Sequence, residues 1–176
     1  VLSANVAYYN DSLPNTKLSS ISTSLTYSQY SQVLLPLVAN IWTKNNKYNI
    51  ISDNRYINYP SNVYGFGGQT NPNRGYQIAF KGLKLHETLM KSISKNWYAG
   101  VGYYFDQFWD IKPLDSLTLR LDNILHRELG VAEAASGFAV KLLYDNRLNQ
   151  INAKNGWYAN ILFRDAREFL GSKSDW

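Results

Sequence analysis

Cysteine is missing altogether, methionine occurs once and histidine only twice in 176 residues. The first absence excludes a disulfide scaffold, a thiolate zinc site and a cysteine nucleophile. The scarcity of histidine leaves little material for imidazole catalysis or a histidine-rich metal centre. Long hydrophobic runs are missing too: the longest, VLLPLVA from Val33 to Ala39, falls far short of the ~20 residues a spanning helix needs. That excludes a helical span but not a span built of strands. The opening VLSANVAYYN has neither a basic n-region nor an apolar h-region, so no signal peptide is expected there. The net charge is +5, but the basic residues are dispersed and the tracts TKNNK and NPNRG read as turns. Nucleic acid is therefore not an expected partner.

Aromatic residues are what the chain has in abundance, at 15% with Tyr 14 and Trp 5. They concentrate in NWYAGVGYYFDQFW, Asn96 to Trp109, where Trp97, Ala99, Val101, Tyr103 and Phe105 share one parity. Tyr98, Gly100, Gly102, Tyr104 and Asp106 share the other. A strand sends successive side chains to opposite faces, so this segment has one apolar face and one small or polar face. The same alternation runs through most of the chain. It sets Leu2, Ala4, Val6 and Tyr8 together, and likewise Ile21, Thr23, Leu25 and Tyr27. Val33, Leu35, Leu37, Ala39 and Ile41 form another such row, as do Phe138, Val140, Leu142 and Tyr144, and finally Trp157, Ala159, Ile161 and Phe163. In GYQIAFKGLKLHETLMKSI the apolar parity changes near Gly82, which suggests a bulge at that glycine.

The pattern predicts roughly eight strands, many near ten residues, where soluble proteins average about 5–6. Connections alternate between short polar turns (NDSLPNTK, TKNNK, SKN, NQINAKN) and two long loops, PSNVYGFGGQTNPNRG and the stretch around residues 111–136. SQYSQ is short where a long loop would be due. Long alternating strands with turns on one rim and loops on the other describe an all-β, antiparallel transmembrane β-barrel. The lipid-facing residues would include Val33, Leu35, Leu37, Val101, Tyr103, Phe105, Ile161 and Phe163. Trp42, Tyr59, Trp97, Trp109 and Trp157 would form its interfacial girdles. A soluble β-sandwich or small barrel also alternates, but strand length and turn asymmetry weigh against it. Leu114, Leu117, Leu121, Leu125 and Leu129 recur at helical spacing before Gly130, predicting a short amphipathic helix in the second long loop.

Catalytic patterns are weak. His86 and Glu87 are strand neighbours facing opposite ways, and Asp122 and His126 read as a helical i,i+4 surface pair. No Gly-x-Ser-x-Gly elbow occurs, and YGFGG (Tyr64 to Gly68) lacks the Lys-Ser/Thr of a phosphate loop. The carboxylates of DNR and RDARE are interrupted by arginines and suit ion pairs in a wet lumen better than a metal. Asp145 and Arg147 share a parity, giving either an ion pair that fixes register or a solvated rim pair. Neither an enzymatic activity nor a cofactor is expected.

Three segments resemble a known family. NNKYNIISDNRYINYPSNVYGFGG is similar to its strand leading into a Tyr-Pro…Tyr-Gly-hydrophobic-Gly loop. GLKLHETLMKSISKNWYAGVGYYFDQF looks like its following hairpin, and LLYDNRLNQINAKNGWYANILFRDAREFLGSKSDW like its Tyr-Asp-x-Arg…Gly-aromatic hairpin. The family is the Bacteroidetes-type bacterial surface antigens of the BamA/TamA-like outer-membrane barrel superfamily. The resemblance implies a sixteen-stranded barrel in the outer membrane of a Gram-negative bacterium, assisting protein insertion or translocation. The chain would be a single barrel domain over 1–176, matching the N-terminal half of that barrel, or a small barrel that closes alone or as a homodimer. The expected partners are the lipid bilayer, lipopolysaccharide, client outer-membrane proteins and accessory assembly subunits. The expected lateral edge is the first strand, Leu2, Ser3, Ala4, Asn5, Val6, Ala7, Tyr8 and Tyr9, where a client strand would pair by β-augmentation. A passive pore, anchor or adhesion module is the alternative.

Overall fold

The computed structural model describes residues 1–64, 75–114, 132–147, 150 and 152–175. They form one sheet of eight antiparallel strands in sequence order. The strands are β1 (Leu2–Tyr8), β2 (Ser19–Tyr27), β3 (Val33–Trp42), β4 (Tyr48–Val63), β5 (Tyr76–Ser94), β6 (Trp97–Pro113), β7 (Ala132–Asp145) and β8 (Tyr158–Ala166). The sheet is not closed: β1 pairs only with β2, and β8 only with β7. No α-helix occurs among the described residues, where one single 3-10 turn joins β3 to β4 and another follows β8. The helix expected near Leu117–Leu129, the loop glycines of YGFGG and the Asp122–His126 pair lie outside the described residues.

Register carries one parity across the whole sheet. Val6 faces Ile21, Ile21 faces Ala39, and Leu35 faces Tyr56. Ile50 then faces Leu89, Leu89 faces Val101, Val101 faces Val140, and Val140 faces Phe163. The apolar rows recognised strand by strand therefore merge into one face. Leu35, Val101, Tyr103 and Ile161 share it and meet in no enclosed core; they stay 43%, 62%, 40% and 70% exposed.

The sheet curls the other way. Flat strands at ~4.8 Å spacing would hold β3 and β6 about 14 Å apart, yet the rings of Trp42 and Tyr98 meet edge-on at 5.0 Å. Around them Met90 and Leu143 complete a small buried core at the short-turn rim. Glycines on the concave side of β6 allow this bend. A Cβ at Gly100 would sit 2.3 Å from the Leu89 carbonyl oxygen, and one at Gly102 would sit 2.7 Å from that of Glu87.

Several expectations need correcting. Trp42 and Tyr59 are not girdle residues: both lie on the concave parity, Trp42 in the rim core and Tyr59 against Phe80. The bulge is not at Gly82. The β4–β5 register runs unbroken past it; of two irregularities in the β5–β6 pairing, one lies between Ser92 and Ser94 and the nearer between Ala79 and Lys81. There β6 carries the extra residue, and Asp110 takes a left-handed φ of 56°. The apolar parity changes at Gly82 because Ile78 and Phe80 pack inward while Leu83 and Leu85 face out. The two long loops are shorter than expected, because β4 continues through Pro60 to Val63 and β6 through Pro113. Pro60 is tolerated because β3 stops pairing at Asn58, leaving β4 a single neighbour there.

Candidate functional site

Three features stand out: a free strand edge, a charged concave face, and a loop that straps the rim. The edge is β1. Leu2 to Ala7 are exposed, Tyr8 is half-buried, and Tyr9 lies just beyond the strand. With one side paired to β2, its outward backbone groups are available to another strand. The opposite edge, β8, is equally one-sided and exposes Ile161, Leu162 and Phe163.

On the concave face Asp106 of β6 gathers charge. Its Oδ1 lies 2.9 Å from His86 Nε2 and 4.0 Å from Lys84 Nζ, while Arg164 Nη1 donates to its Oδ2 at 2.6 Å. Arg164 reaches from β8 across β7 because β7 presents Ala135, Gly137 and Ala139 there; its Nη2 also donates to the carbonyls of Ala135 and Tyr104. The His86 ring lies tilted against the Tyr104 ring, centroids 4.4 Å apart, and the Tyr104 hydroxyl bonds to Thr88. Asp53 and Arg55 form a second concave pair on β4 at 2.6 Å. The cluster binds β5, β6 and β8 together through charge-assisted hydrogen bonds. Among the described residues no hydroxyl is hydrogen-bonded to His86, and no three His, Asp or Glu converge as metal ligands. Its chemistry is that of a clasp.

The strap is the β1–β2 connection. Rather than forming a plain turn, it folds over the curled rim. Asn10 donates to the Trp42 carbonyl, the Lys17 amide donates to Asn46 Oδ1, and Asn46 returns a bond to the Asn15 carbonyl. Lys17 is buried. Its ammonium lies 3.1 Å from Asp145 Oδ2, donates to the Asp145 carbonyl, and sits over the Trp42 and Tyr98 rings at 4.7 and 5.4 Å. Burial pushes the Lys17 ammonium below its ordinary pKa, against the opposing pull of Asp145. Asp145, 1% exposed, also takes Arg147 Nε at 2.9 Å and Gln150 Nε2. Its hydrogen bond holds the Arg147 guanidinium still more firmly charged. Asp145 and Arg147 thus meet, but in a buried three-way arrangement with Lys17 rather than as a solvated pair. A cavity of about 660 Å³ opens beside them, lined by Thr16, Lys17, Lys95, Tyr98, Asp145 and Arg147 among others.

All eight residues expected to face lipid share the apolar face by register. Sequence reasoning missed one feature there. Ser52 and Asn54 of β4 and Glu87 of β5 lie on this face and bond to one another: Ser52 Oγ and Asn54 Nδ2 each donate to Glu87 Oε1 at 2.8 Å. The signal was the polar parity Ser52-Asn54 within KYNIISDNRYINY, legible only once β4 is placed between β3 and β5. His86–Asp106 was missed for the same reason, since the pairing crosses strands. No family model, curated protein or solved structure matches this chain.

Proposed function

We propose that the protein is an outer-membrane β-barrel component of the surface-antigen type, which assists insertion or translocation of proteins by lending its β1 edge to a client strand. The observation that carries the membrane part is the single apolar face running over all eight strands, opposite a face bearing Asp53, Arg55, Lys84, His86, Asp106 and Arg164. A soluble sheet would bury its apolar side, whereas a barrel wall turns it to hydrocarbon. The assembly part draws on the one-sided pairing of β1 and on the resemblance of the DNR hairpins. The mechanism is β-augmentation, with backbone hydrogen bonds supplying affinity and alternate side chains supplying register.

Because the chain has no cysteine, single cysteines can be placed without background. Cysteines along β1, at Ser3, Asn5 and Ala7, should form disulfides with a nascent outer-membrane client carrying one cysteine, in a single register. No adduct at any position would sink the assembly part.

The alternative is a small passive barrel, serving as pore, anchor or adhesion module. The strap from Lys17 to Asp145 favours it, since the chain already wraps its own rim. Pairing of β1 with β8 within one copy, detected as an intramolecular disulfide, would select this reading.

A further inference from the structure

The outward row of β5 reads Lys91, Leu89, Glu87, Leu85, Leu83, Lys81. Ten residues of a strand tilted by about 45° span roughly 23 Å in depth, close to the apolar band of ~25 Å. The lysines bracket that band and Glu87 lies well inside it. On neighbouring β6 the same depth is bracketed by Trp97 and Trp109 and holds Val101, Tyr103, Phe105 and one neutral polar residue, Gln107. Three carboxylates lie on this face among the described strand residues: Glu87, Asp165 and Asp110, the last bridged to the outward Lys81 at 2.8 Å and to Lys112. Asp165 is paired with Arg167 at 2.9 Å. Among the described residues, Glu87 has only the neutral donors Ser52 and Asn54. Beside it, the buried Oδ1 of Asn54 accepts no hydrogen bond. The patch therefore has an excess of acceptors and negative charge in a field of leucine, isoleucine and valine, and hydrocarbon supplies neither donors nor countercharge.

We infer that the β4–β5 stretch of the apolar face is covered by a membrane-embedded segment of a partner protein, which brings a guanidinium or ammonium group to Glu87. Charge complementarity selects the occupant. A second copy meeting this patch about a two-fold axis would set Glu87 against Glu87, whereas a cationic side chain with several N–H donors answers both Glu87 and Asn54 Oδ1. The segment around that cation must be apolar, to match Leu83, Leu85, Leu89 and Ile50. This inference rests on the membrane reading above.

The test is site-specific photocrosslinking of the full-length protein in cells of the organism that carries it. The photoreactive residue is placed at Leu85 or Leu89 beside Glu87, and at Val101 or Ile161 as references. The reference positions should capture lipid. Leu85 and Leu89 should capture one protein, whose crosslinked peptide is apolar and carries a lysine or arginine. Glu87→Gln preserves shape and hydrogen bonding and should lower adduct yield about tenfold; Glu87→Lys should lower it at least as much. Reversing the partner's cation to glutamate should restore the adduct with Glu87→Lys. Lipid adducts at Leu85 and Leu89 matching those at the references, or a protein adduct indifferent to Glu87→Lys, would overturn the inference while leaving the membrane reading intact. If Val101 and Ile161 themselves capture no lipid, both fall together.

Discussion

At the scale of single residues, the Lys17–Asp145–Arg147 group shows how unequal the members of one ion cluster can be. Asp145 neutralises two cations, so Asp145→Ala leaves the buried Lys17 without a countercharge and should cost about 3 kcal/mol of stability. In Lys17→Met, Asp145 keeps Arg147 and Gln150 while the apolar stem still covers Trp42. That change should cost less than about 1 kcal/mol, and urea unfolding in detergent micelles compares the two. Asp175 gives a pH-dependent counterpart at the surface. It accepts the Glu168 amide and Arg167, and these hold its carboxyl below the ordinary 3.8. A lowered folded-state pKa means that its contribution is complete above 3.8 and disappears as pH falls through the folded value. Exchange of the Glu168 amide should therefore accelerate on acidification below pH 4 relative to neighbouring amides, after correction for its intrinsic pH dependence. Asp175→Asn should flatten that response.

At the scale of elements, curvature rests on where side chains are missing. Gly100→Ala would push a methyl into the Leu89 carbonyl and Met90 Cα, 2.3 and 2.7 Å away, and should cost about 1–3 kcal/mol through displacement of β5 from β6. Gly171→Ala meets no atom within 4 Å, so its cost comes only from φ of 98° and should be about 1 kcal/mol. Thermal unfolding of the two variants separates steric from conformational effects. Strand existence and facing were legible in the sequence because alternation has a period of two and repeats over long segments. Register was not legible, because it is a relation between strands: nothing in WYAGVGYYFDQFW shows that Asp106 will stand diagonally from His86. The direction of curl was hidden too. It depends on Gly100 and Gly102 leaving the concave side of β6 free of side chains, residues that alone read as weak strand formers. The bulge was misplaced onto Gly82 since glycine is the usual marker of one, whereas Asp110 adopts the left-handed conformation here.

At the scale of the whole molecule, the two faces make opposite demands of their surroundings. Single cysteines at Leu35, Val101 and Ile161, carrying an environment-sensitive fluorophore in reconstituted vesicles, should be quenched by lipid-attached nitroxides and spared by aqueous iodide. Labels at Asp53 and Lys84, on the concave side, should show the reverse. Equal iodide quenching on both faces would mean that water bathes the sheet on either side, and the barrel-wall proposal would fail. The sheet's two one-sided edges set a further condition, since each leaves backbone polar groups unmatched in hydrocarbon. In a bilayer both edges must be met by another strand, whether from the same copy, another copy or a client.

The strap also has a kinetic meaning. Neighbouring strands join residues close in sequence, so each hairpin can zip soon after it emerges. The bond between Lys17 and Asp145 links positions 128 apart, and closing so long a loop is entropically slow until the intervening strands have already coiled. Rim sealing is thus the natural final step of maturation, and the first hairpin the last piece to lose its freedom.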